Sequence, residues 1–153
     1  MDAMMFRNIM VICTGNICRS PAGERLLQRL LPGRRIDSAG IPGLSDHPAD
    51  SMMRAVCEAR GLSLEGHLSR PVTPAMLRRY ELLLVMEQSH LRRLTALAPE
   101  CRGKTLLFSH WSEHAGQRNI RDPFGQHRQV YEQVFHQLER AALAWVQHLT
   151  ERP

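Results

Sequence analysis

Cysteine and aromatic residues are scarce in this sequence, and each shortage excludes a class of protein. The four cysteines among 153 residues are scattered and form no Cys-x-x-Cys pair, which excludes a secreted disulfide framework and gives no zinc signature. Aromatic residues make up 5% of the chain, too few for a stacking platform, although the net charge is +5. We therefore expect reduced thiols, no nucleic-acid partner and no metal or other cofactor.

Long apolar runs are also missing. No stretch approaches the ~20 apolar residues that a membrane-spanning helix needs, and the start MDAMMFRN lacks the charged and apolar regions of a signal peptide. We expect no membrane insertion and a cytoplasmic protein. A length of 153 residues with 43% hydrophobic residues fits one domain, 1–153, while the oligomeric state is left open.

The chain alternates between short apolar runs and amphipathic helical patterns. The predicted strands are Asn8–Ile12, Arg35–Ala39, Glu81–Met86 and Lys104–Phe108. The predicted helices are Pro21–Leu31 with Ser20 as its N-cap, Ala49–Arg60, Pro74–Arg79 with Thr73 as its cap, a helix capped by Ser89 and ending at Ala98, and about Arg128–Thr150. This alternation predicts a three-layer α/β/α fold of the flavodoxin-like type, in which a four-stranded parallel sheet carries helices on both faces.

The segment VICTGNICRSP has a cysteine where the first predicted strand ends and an arginine just before the first helix. Ligands of parallel α/β folds bind at the carboxyl ends of the strands, and Cys13 lies at that place. The loop from Cys13 to Arg19 can turn its backbone N–H groups inward, and the following helix adds its positive dipole end. A loop of this kind is typical of a phosphate site.

The residue types in this loop favour the same interpretation. Gly15 allows a positive φ and a close backbone approach, while Asn16 tolerates the left-handed conformation and can fasten the loop through its side chain. Arg19 offers a planar fork to two phosphate oxygens. A thiol in this electrostatic field ionises readily, so Cys13 is predicted to be a nucleophilic thiolate.

The spacing Cys-x5-Arg is weak evidence by itself. Lys104 is the only lysine among 20 basic residues, so arginine is abundant and chance matches are expected. The surrounding sequence supports a phosphate site more strongly than the spacing does. Cys13 is the only cysteine with an arginine six residues later, and it lies at a junction between strand and helix.

A thiolate that attacks a phosphate monoester also needs an acid to protonate the leaving oxygen. The candidate is Asp122 in RDPFG, where Pro123 stiffens the backbone and the loop after the fourth strand can reach the same edge of the sheet. Asp-Pro is also a common turn opener, so the assignment of Asp122 depends on Cys13 and Arg19.

The stretches VICTGNICRSP, SAG and DPFG together resemble the low-molecular-weight protein tyrosine phosphatases, and the match extends over nearly the whole chain. LEGHLSRPVT, LLLVMEQSH and GKTLLFSHW resemble the bacterial branch tied to exopolysaccharide and capsule export. The resemblance implies a metal-independent enzyme that hydrolyses phosphotyrosine through a phospho-cysteine intermediate. It also implies a substrate, the tyrosine-rich cytoplasmic tail of a membrane tyrosine autokinase.

The resemblance further implies a role for each residue of the matched motifs. Cys13 would be the nucleophile, Arg19 would clamp the phosphoryl oxygens, and Asp122 would act first as acid and then as base for the hydrolytic water. Ser20 would assist the thiolate and the leaving sulfur, and Ser38 would support the loop asparagine. The phosphate-binding loop would comprise Thr14, Gly15, Asn16, Ile17, Cys18 and Ser20.

Three apolar residues are predicted to contact the ring of the substrate. They are Ile41 and Leu44 in IPGLSDHP, and Phe124, which stands where the family usually has tyrosine. A deep apolar slot would favour an aryl phosphate over phosphoserine. Cys18 matches a second loop cysteine that can trap Cys13 in a reversible disulfide, and the alternative is a small buried residue that fills space.

Other interpretations explain less of the sequence. A thioredoxin-linked arsenate reductase would need two further cysteines, and LLLVMEQSH, where they would lie, has none. A silent phosphate-binding module needs neither the thiol nor Asp122, and no G-x-x-x-x-G-K-[ST] motif marks a nucleotide site. Metal sites built from His110 and His114, or from His47 and His67, lack a third ligand, so we expect surface histidines in loops.

Overall fold

A computed structural model describes residues 6–112 and 119–150 of the chain. Four parallel strands form one sheet in the order β2-β1-β3-β4, with β1 at Asn8–Cys13, β2 at Arg35–Gly40, β3 at Leu82–Val85 and β4 at Thr105–Leu107. The helices are α1 (Arg19–Leu30), α2 (Ser51–Ala59), α3 (Pro74–Arg79), α4 (Gln88–Leu97) and α5 (Arg128–Thr150), and a 3-10 helix spans Pro99–Lys104. The predicted flavodoxin-like topology is confirmed, with the ends of several elements shifted by a residue or two.

Helices cover both faces of the sheet, which confirms the predicted three layers. Ile9, Val11 and other residues of one face pack with α1, α2 and α5 in the larger core cluster. Met10 and Ile12 point to the opposite face and pack with α3 and α4. Alternate residues of β1 thus enter different cores, and all four are fully buried, as the central position of β1 in a parallel sheet requires.

Two predicted helix caps are wrong. Ser20 lies inside α1, whose N-cap position is Cys18, and the Ser20 N–H lies 3.4 Å from the sulfur of the cysteine that ends β1. Ser89 lies inside α4, which begins one residue earlier and is capped by Glu87 in a reciprocal capping box with His90. In both helices, groups at the carboxyl edge of the sheet accept hydrogen bonds from the first turn. The serine in the sequence therefore did not determine where the helix begins.

The ends of β1, β2 and β3 meet at one edge of the sheet. Cys13, the last residue of β1, pairs in register with Gly40 of β2, and Ile12 pairs with Val85 of β3. The chain leaving β3 therefore brings Glu87 close to the loop that follows Cys13. In the part of the chain that the structure describes, no helix has the length and apolar character to cross a membrane.

Candidate active site

The loop between β1 and α1 turns its carbonyl groups outward. Five successive carbonyls accept hydrogen bonds of 2.6–3.0 Å from neighbouring segments. Four of these carbonyls accept a backbone N–H: Cys13 from Ile41, Thr14 from Gly43, Gly15 from Leu44, and Ile17 from Asp50. The Asn16 carbonyl accepts a hydrogen bond from the His67 imidazole. Because the C=O and N–H of one trans peptide point in opposite directions, the N–H groups of residues 14–18 face the centre of the loop. This is an anion-binding arrangement.

Asn16 fastens the loop from within. Its backbone has a φ of +63°, and its buried side chain donates from Nδ2 to Ser20 Oγ at 2.8 Å and to Ser38 Oγ at 3.0 Å. Its Oδ1 accepts the Arg70 N–H at 3.0 Å. The left-handed residue is thus Asn16 and not Gly15, where a Cβ would meet only side-chain atoms at ordinary distances.

Cys13 lies at the floor of the loop and is 2% exposed. Its Sγ is 3.0 Å from Ser20 Oγ and 3.4 Å from the Ser20 N–H. The Ser20 hydroxyl already accepts a hydrogen bond from Asn16, so its own proton is available to the sulfur; the Ala39 carbonyl is a more distant acceptor at 3.5 Å. Two donors on one sulfur stabilise the anionic form of a thiol.

Arg19 is 1% exposed and is held from several sides. Its Nη1 forms an ion pair with Glu87 and donates to the Ile120 carbonyl at 2.7 Å, and its Nη2 lies 3.3 Å from Thr14 Oγ1. Its Nε is buried and has no hydrogen-bond partner among the described residues. A fixed cation with an unsatisfied N–H in the wall of a cavity fits an anionic ligand.

Asp122 lies at the mouth of the site, with its side chain 47% exposed. Its Oδ1 accepts the Phe124 N–H at 3.1 Å, and its Oδ2 is 3.8 Å from Arg19 Nη2. The side chain to backbone bond two residues ahead fixes the direction of the carboxyl group. Asp122 can thus exchange protons both with solvent and with a group bound above the loop.

These residues enclose a cavity of about 240 Å³. Cys13 and Arg19 line it together with Asp122, and the exposed side chains of Leu44 and Phe124 form apolar walls. A larger groove of about 920 Å³ along α5 has no cysteine among the described residues that line it, so the smaller cavity is the candidate active site. Among the described residues, no three His, Cys, Asp or Glu side chains are grouped to hold a metal ion.

The predicted ring contact of Ile41 is wrong. Its side chain is buried in the core between the sheet, α3 and α4, and it does not line the cavity. The Ile41 N–H donates to the Cys13 carbonyl, and the Ile41 side chain lies in the same core cluster as Ala39, two residues earlier. Pro42 and Gly43 line the cavity instead.

Some histidine expectations also need correction. His47 is exposed as expected, whereas His67 is buried and donates from Nε2 to the Asn16 carbonyl at 2.6 Å. His114 lies outside the described residues. The sequence contains a signal for this role that was missed. His67 and Arg70 both stand in LEGHLSRPVT, and the Arg70 N–H donates to the Asn16 side chain.

The site contains two further residues that the sequence analysis did not assign, Glu87 and His90. Glu87 pairs with Arg19, and His90 bonds to Thr14 at 2.9 Å. Both follow β3, whose carboxyl end lies beside that of β1. Because ligands of parallel α/β folds bind at the carboxyl ends of the strands, this position predicts that both residues lie near the site.

Burial keeps His67 and His90 neutral near pH 7. Desolvation lowers the pKa of both imidazoles, and for His90 the Arg19 charge adds to the effect and brings the pKa to about 4. His90 Nδ1 accepts the Glu87 N–H at 3.1 Å, so its proton is on Nε2.

These depressed pKa values predict a loss of stability in acid. The unfolded chain binds protons at these histidines near pH 6.5, whereas the folded chain resists them down to about pH 4 for His90. We expect the free energy of unfolding to fall as the pH is lowered from about 6.5 to about 4, with a slope of up to about 1.4 kcal/mol per pH unit from His90. Urea denaturation at several pH values measures the slope. An equal slope in His90→Asn would contradict the assignment.

A buried thiol at the floor of an inward-facing N–H loop, set on a flavodoxin-like sheet, defines the class of cysteine-dependent phosphohydrolases. Residues 8–152 match the sequence model of the low molecular weight phosphotyrosine protein phosphatase family. The chain belongs to this family, as the resemblance of its motifs implied.

Individual relatives match over almost their full length. The low molecular weight protein-tyrosine-phosphatase Etp of Escherichia coli (strain K12) is 48% identical, over 98% of this chain and 99% of Etp. The structure of the tyrosine phosphatase Wzb from Escherichia coli K30 in complex with sulphate has a TM-score of 0.91 and 50% identity, over 95% of this chain and 99% of Wzb. Vibrio vulnificus Wzb in complex with benzylphosphonate has a TM-score of 0.87 and 40% identity, over 94% and 99% of the two chains.

The loop packs closely against Gly40, at the end of β2. A Cβ there would lie 2.6 Å from the Thr14 carbonyl oxygen and 2.7 Å from Gly43 Cα. We expect Gly40→Ala to displace the loop and to lower kcat/KM for an aryl phosphate about ten-fold or more, with a loss of about 1–3 kcal/mol in stability. Gly33→Ala is the control, since no atom of the described residues lies within 4 Å of that Cβ. Equal kcat/KM in the two variants would contradict the expectation.

Proposed function

We propose that the protein hydrolyses phosphotyrosine in two steps through a phospho-cysteine intermediate, without a metal ion. The observation that carries the proposal is the position of the Cys13 sulfur, which lies at the floor of the N–H loop with the Ser20 hydroxyl and N–H directed at it. A phosphoryl group bound by the loop would place its phosphorus in front of this nucleophile.

In the first step the Cys13 thiolate attacks phosphorus, a sulfur–phosphorus bond forms, and the bond from phosphorus to the tyrosine oxygen breaks. Asp122 gives its proton to that oxygen, so the leaving group departs as a neutral phenol. The inward N–H groups and Arg19 bind the three equatorial oxygens, where negative charge is spread in the transition state.

In the second step water attacks the phospho-cysteine. Asp122, now ionised, takes a proton from the water, and the bond between sulfur and phosphorus breaks to release inorganic phosphate. Ser20 stabilises the departing thiolate through its hydroxyl. A peroxide would offer a further reaction of the same thiol by oxidising Cys13 to a sulfenic acid. Cys18, which lines the cavity and whose pKa is raised by burial, is the proposed thiol that attacks this sulfur and releases water to form a protective disulfide.

The walls of the cavity support an aryl phosphate as substrate. Leu44 and Phe124 line the cavity with exposed apolar side chains, as a phenyl ring would need. The relative from Vibrio vulnificus was solved in complex with benzylphosphonate, in which an aromatic ring is linked to a phosphonate group.

We expect Phe124→Ala to lower kcat/KM for a phosphotyrosine peptide about ten-fold, mainly through KM, because the ring loses apolar contact. Leu143→Ala is a matched control, since the Leu143 side chain on α5 is 52% exposed and that of Phe124 is 58% exposed. Steady-state kinetics compare the two variants. If Phe124→Ala behaves like the control, Phe124 does not contact the substrate.

The protein substrate is proposed to be the tyrosine-rich cytoplasmic tail of a membrane tyrosine autokinase that controls exopolysaccharide or capsule synthesis and export. Support comes from the motif resemblance and from the relatedness to Etp and Wzb. The protein would then act in the cytoplasm as one phosphatase domain, 1–153. Incubation with an autophosphorylated tail would release inorganic phosphate and remove the phosphotyrosine signal.

The basic experiment is hydrolysis of an aryl phosphate in the presence of EDTA, followed by phosphotyrosine and phosphoserine peptides. We expect turnover that EDTA does not reduce and a preference for phosphotyrosine. A protein that binds inorganic phosphate without turnover would be a phosphate-binding module. Reduction of arsenate coupled to thioredoxin would favour the reductase interpretation instead.

A further inference from the structure

His90 makes contacts that the proposed chemistry does not use. Its side chain on α4 is 2% exposed, and its Nδ1 accepts the Glu87 N–H at 3.1 Å. The remaining ring proton, on Nε2, is therefore donated to Thr14 Oγ1 at 2.9 Å. Capping of α4 needs only Nδ1, so the second bond calls for its own explanation.

Thr14 receives two donors on one hydroxyl oxygen. One is His90 Nε2, and the other is Arg19 Nη2 at 3.3 Å. A hydroxyl group has two lone pairs and one proton. With both lone pairs directed at donors, the proton of Thr14 must point elsewhere. Thr14 is exposed and lines the cavity above Cys13, so the cavity is where that proton can be donated.

We propose that His90 is a positioning residue that makes the Thr14 hydroxyl a fixed hydrogen-bond donor to the phosphoryl group bound above Cys13. The inference rests on the proposed function for its substrate. Without the imidazole, the Thr14 proton can turn towards other acceptors, and the anion loses one donor. The same imidazole orients Glu87, the ion-pair partner of Arg19, so α4 would hold two phosphate donors in place.

Variants of His90 separate this role from helix capping. In His90→Asn, the side-chain oxygen can still accept the Glu87 N–H, as an amide in a capping box does, but the side chain is too short to reach Thr14. In His90→Gln, the longer amide nitrogen can donate to Thr14. Thr14→Val removes the hydroxyl and keeps the shape of the side chain.

The test is a double-mutant cycle with an aryl phosphate as substrate and inorganic phosphate as competitive inhibitor. We expect His90→Asn and Thr14→Val each to lower kcat/KM by about ten- to one hundred-fold and to weaken phosphate inhibition, because a hydrogen bond to a charged group is lost. The double variant should be no worse than either single variant, since both remove the same donor. His90→Gln should keep most of the activity.

Two outcomes would overturn the proposal: wild-type kinetics in His90→Asn, or a loss in the double variant equal to the product of the two single losses. If His90→Asn does not fold, as urea denaturation would reveal, the cycle is run with His90→Gln, whose advantage over His90→Ala must vanish in the Thr14→Val background. Binding of inorganic phosphate does not need turnover. If the wild type is inactive but Thr14→Val binds inorganic phosphate more weakly than the wild type, the proposed function is rejected. The assignment of Thr14 as a hydrogen-bond donor to the anion is then retained.

Discussion

Cys13→Ser is expected to reduce hydrolysis of an aryl phosphate by a factor of about 10⁴ or more, because the nucleophile is lost. The Ser20 hydroxyl and N–H both contact the sulfur of Cys13, the proposed nucleophile, at the floor of the site. A serine hydroxyl enters the same loop in its neutral form and attacks phosphorus poorly. We expect the variant to fold and to bind inorganic phosphate, since the loop is held by other residues.

Steady-state hydrolysis by Cys13→Ser should be compared with that by Cys101→Ser. Both cysteines are buried, but Cys101 lies in the 3-10 helix on the other side of the sheet and packs in the smaller core cluster. We expect the Cys101 variant to keep its turnover when it is folded. Turnover by Cys13→Ser within ten-fold of the wild type, an approximate limit, would show that another group attacks phosphorus.

Arg19→Lys is expected to lower kcat/KM by a factor of about 10³, although the charge is kept. The guanidinium group bonds at once to Glu87, the Ile120 carbonyl and Thr14, and keeps Nε for a further oxygen. A lysine ammonium group carries its charge on one nitrogen and cannot make all of these planar hydrogen bonds at once. Some stability should also be lost, because one ammonium group cannot keep the Glu87 ion pair together with the hydrogen bonds to Ile120 and Thr14.

Arg78→Lys is the matched control for this substitution. Arg78 is exposed on α3, pairs with Glu100 at 2.8 Å and lies just before β3, at the opposite end of the strands from the site. We expect its kcat/KM to equal that of the wild type. Comparable kcat/KM values for the Arg19 and Arg78 variants, measured with the same aryl phosphate, would exclude Arg19 as the phosphoryl clamp.

The fold could be predicted from the sequence because its signals are local. Apolar runs of strand length alternate with amphipathic helices, and a parallel sheet with helices on both faces buries the apolar side chains of both. The caps of α1 and α4 could not be predicted in this way. Cys13 bonds to the first turn of α1, and Glu87 caps α4 while it pairs with Arg19.

The site could be predicted as far as its residues stand in recognisable motifs. Cys13 and Arg19 stand in one loop, and Asp122 joins them at the same cavity across more than one hundred residues. The direction of a side chain after a strand end is not encoded by spacing, so Ile41 was assigned to the cavity while it lies in the core. His90 was missed because nothing in the sequence marks it as a partner of Thr14, 76 residues away.

Rapid-quench analysis of Asp122→Asn with a nitrophenyl phosphate tests the central claim most directly. This leaving group departs without an acid, so the first step should stay fast, whereas the second step lacks the base for water. We expect a burst of one nitrophenol per protein molecule and a phosphoryl group attached to Cys13 after quenching. A linear time course with no burst, or a phosphoryl group on any other residue, would contradict hydrolysis through a phospho-cysteine.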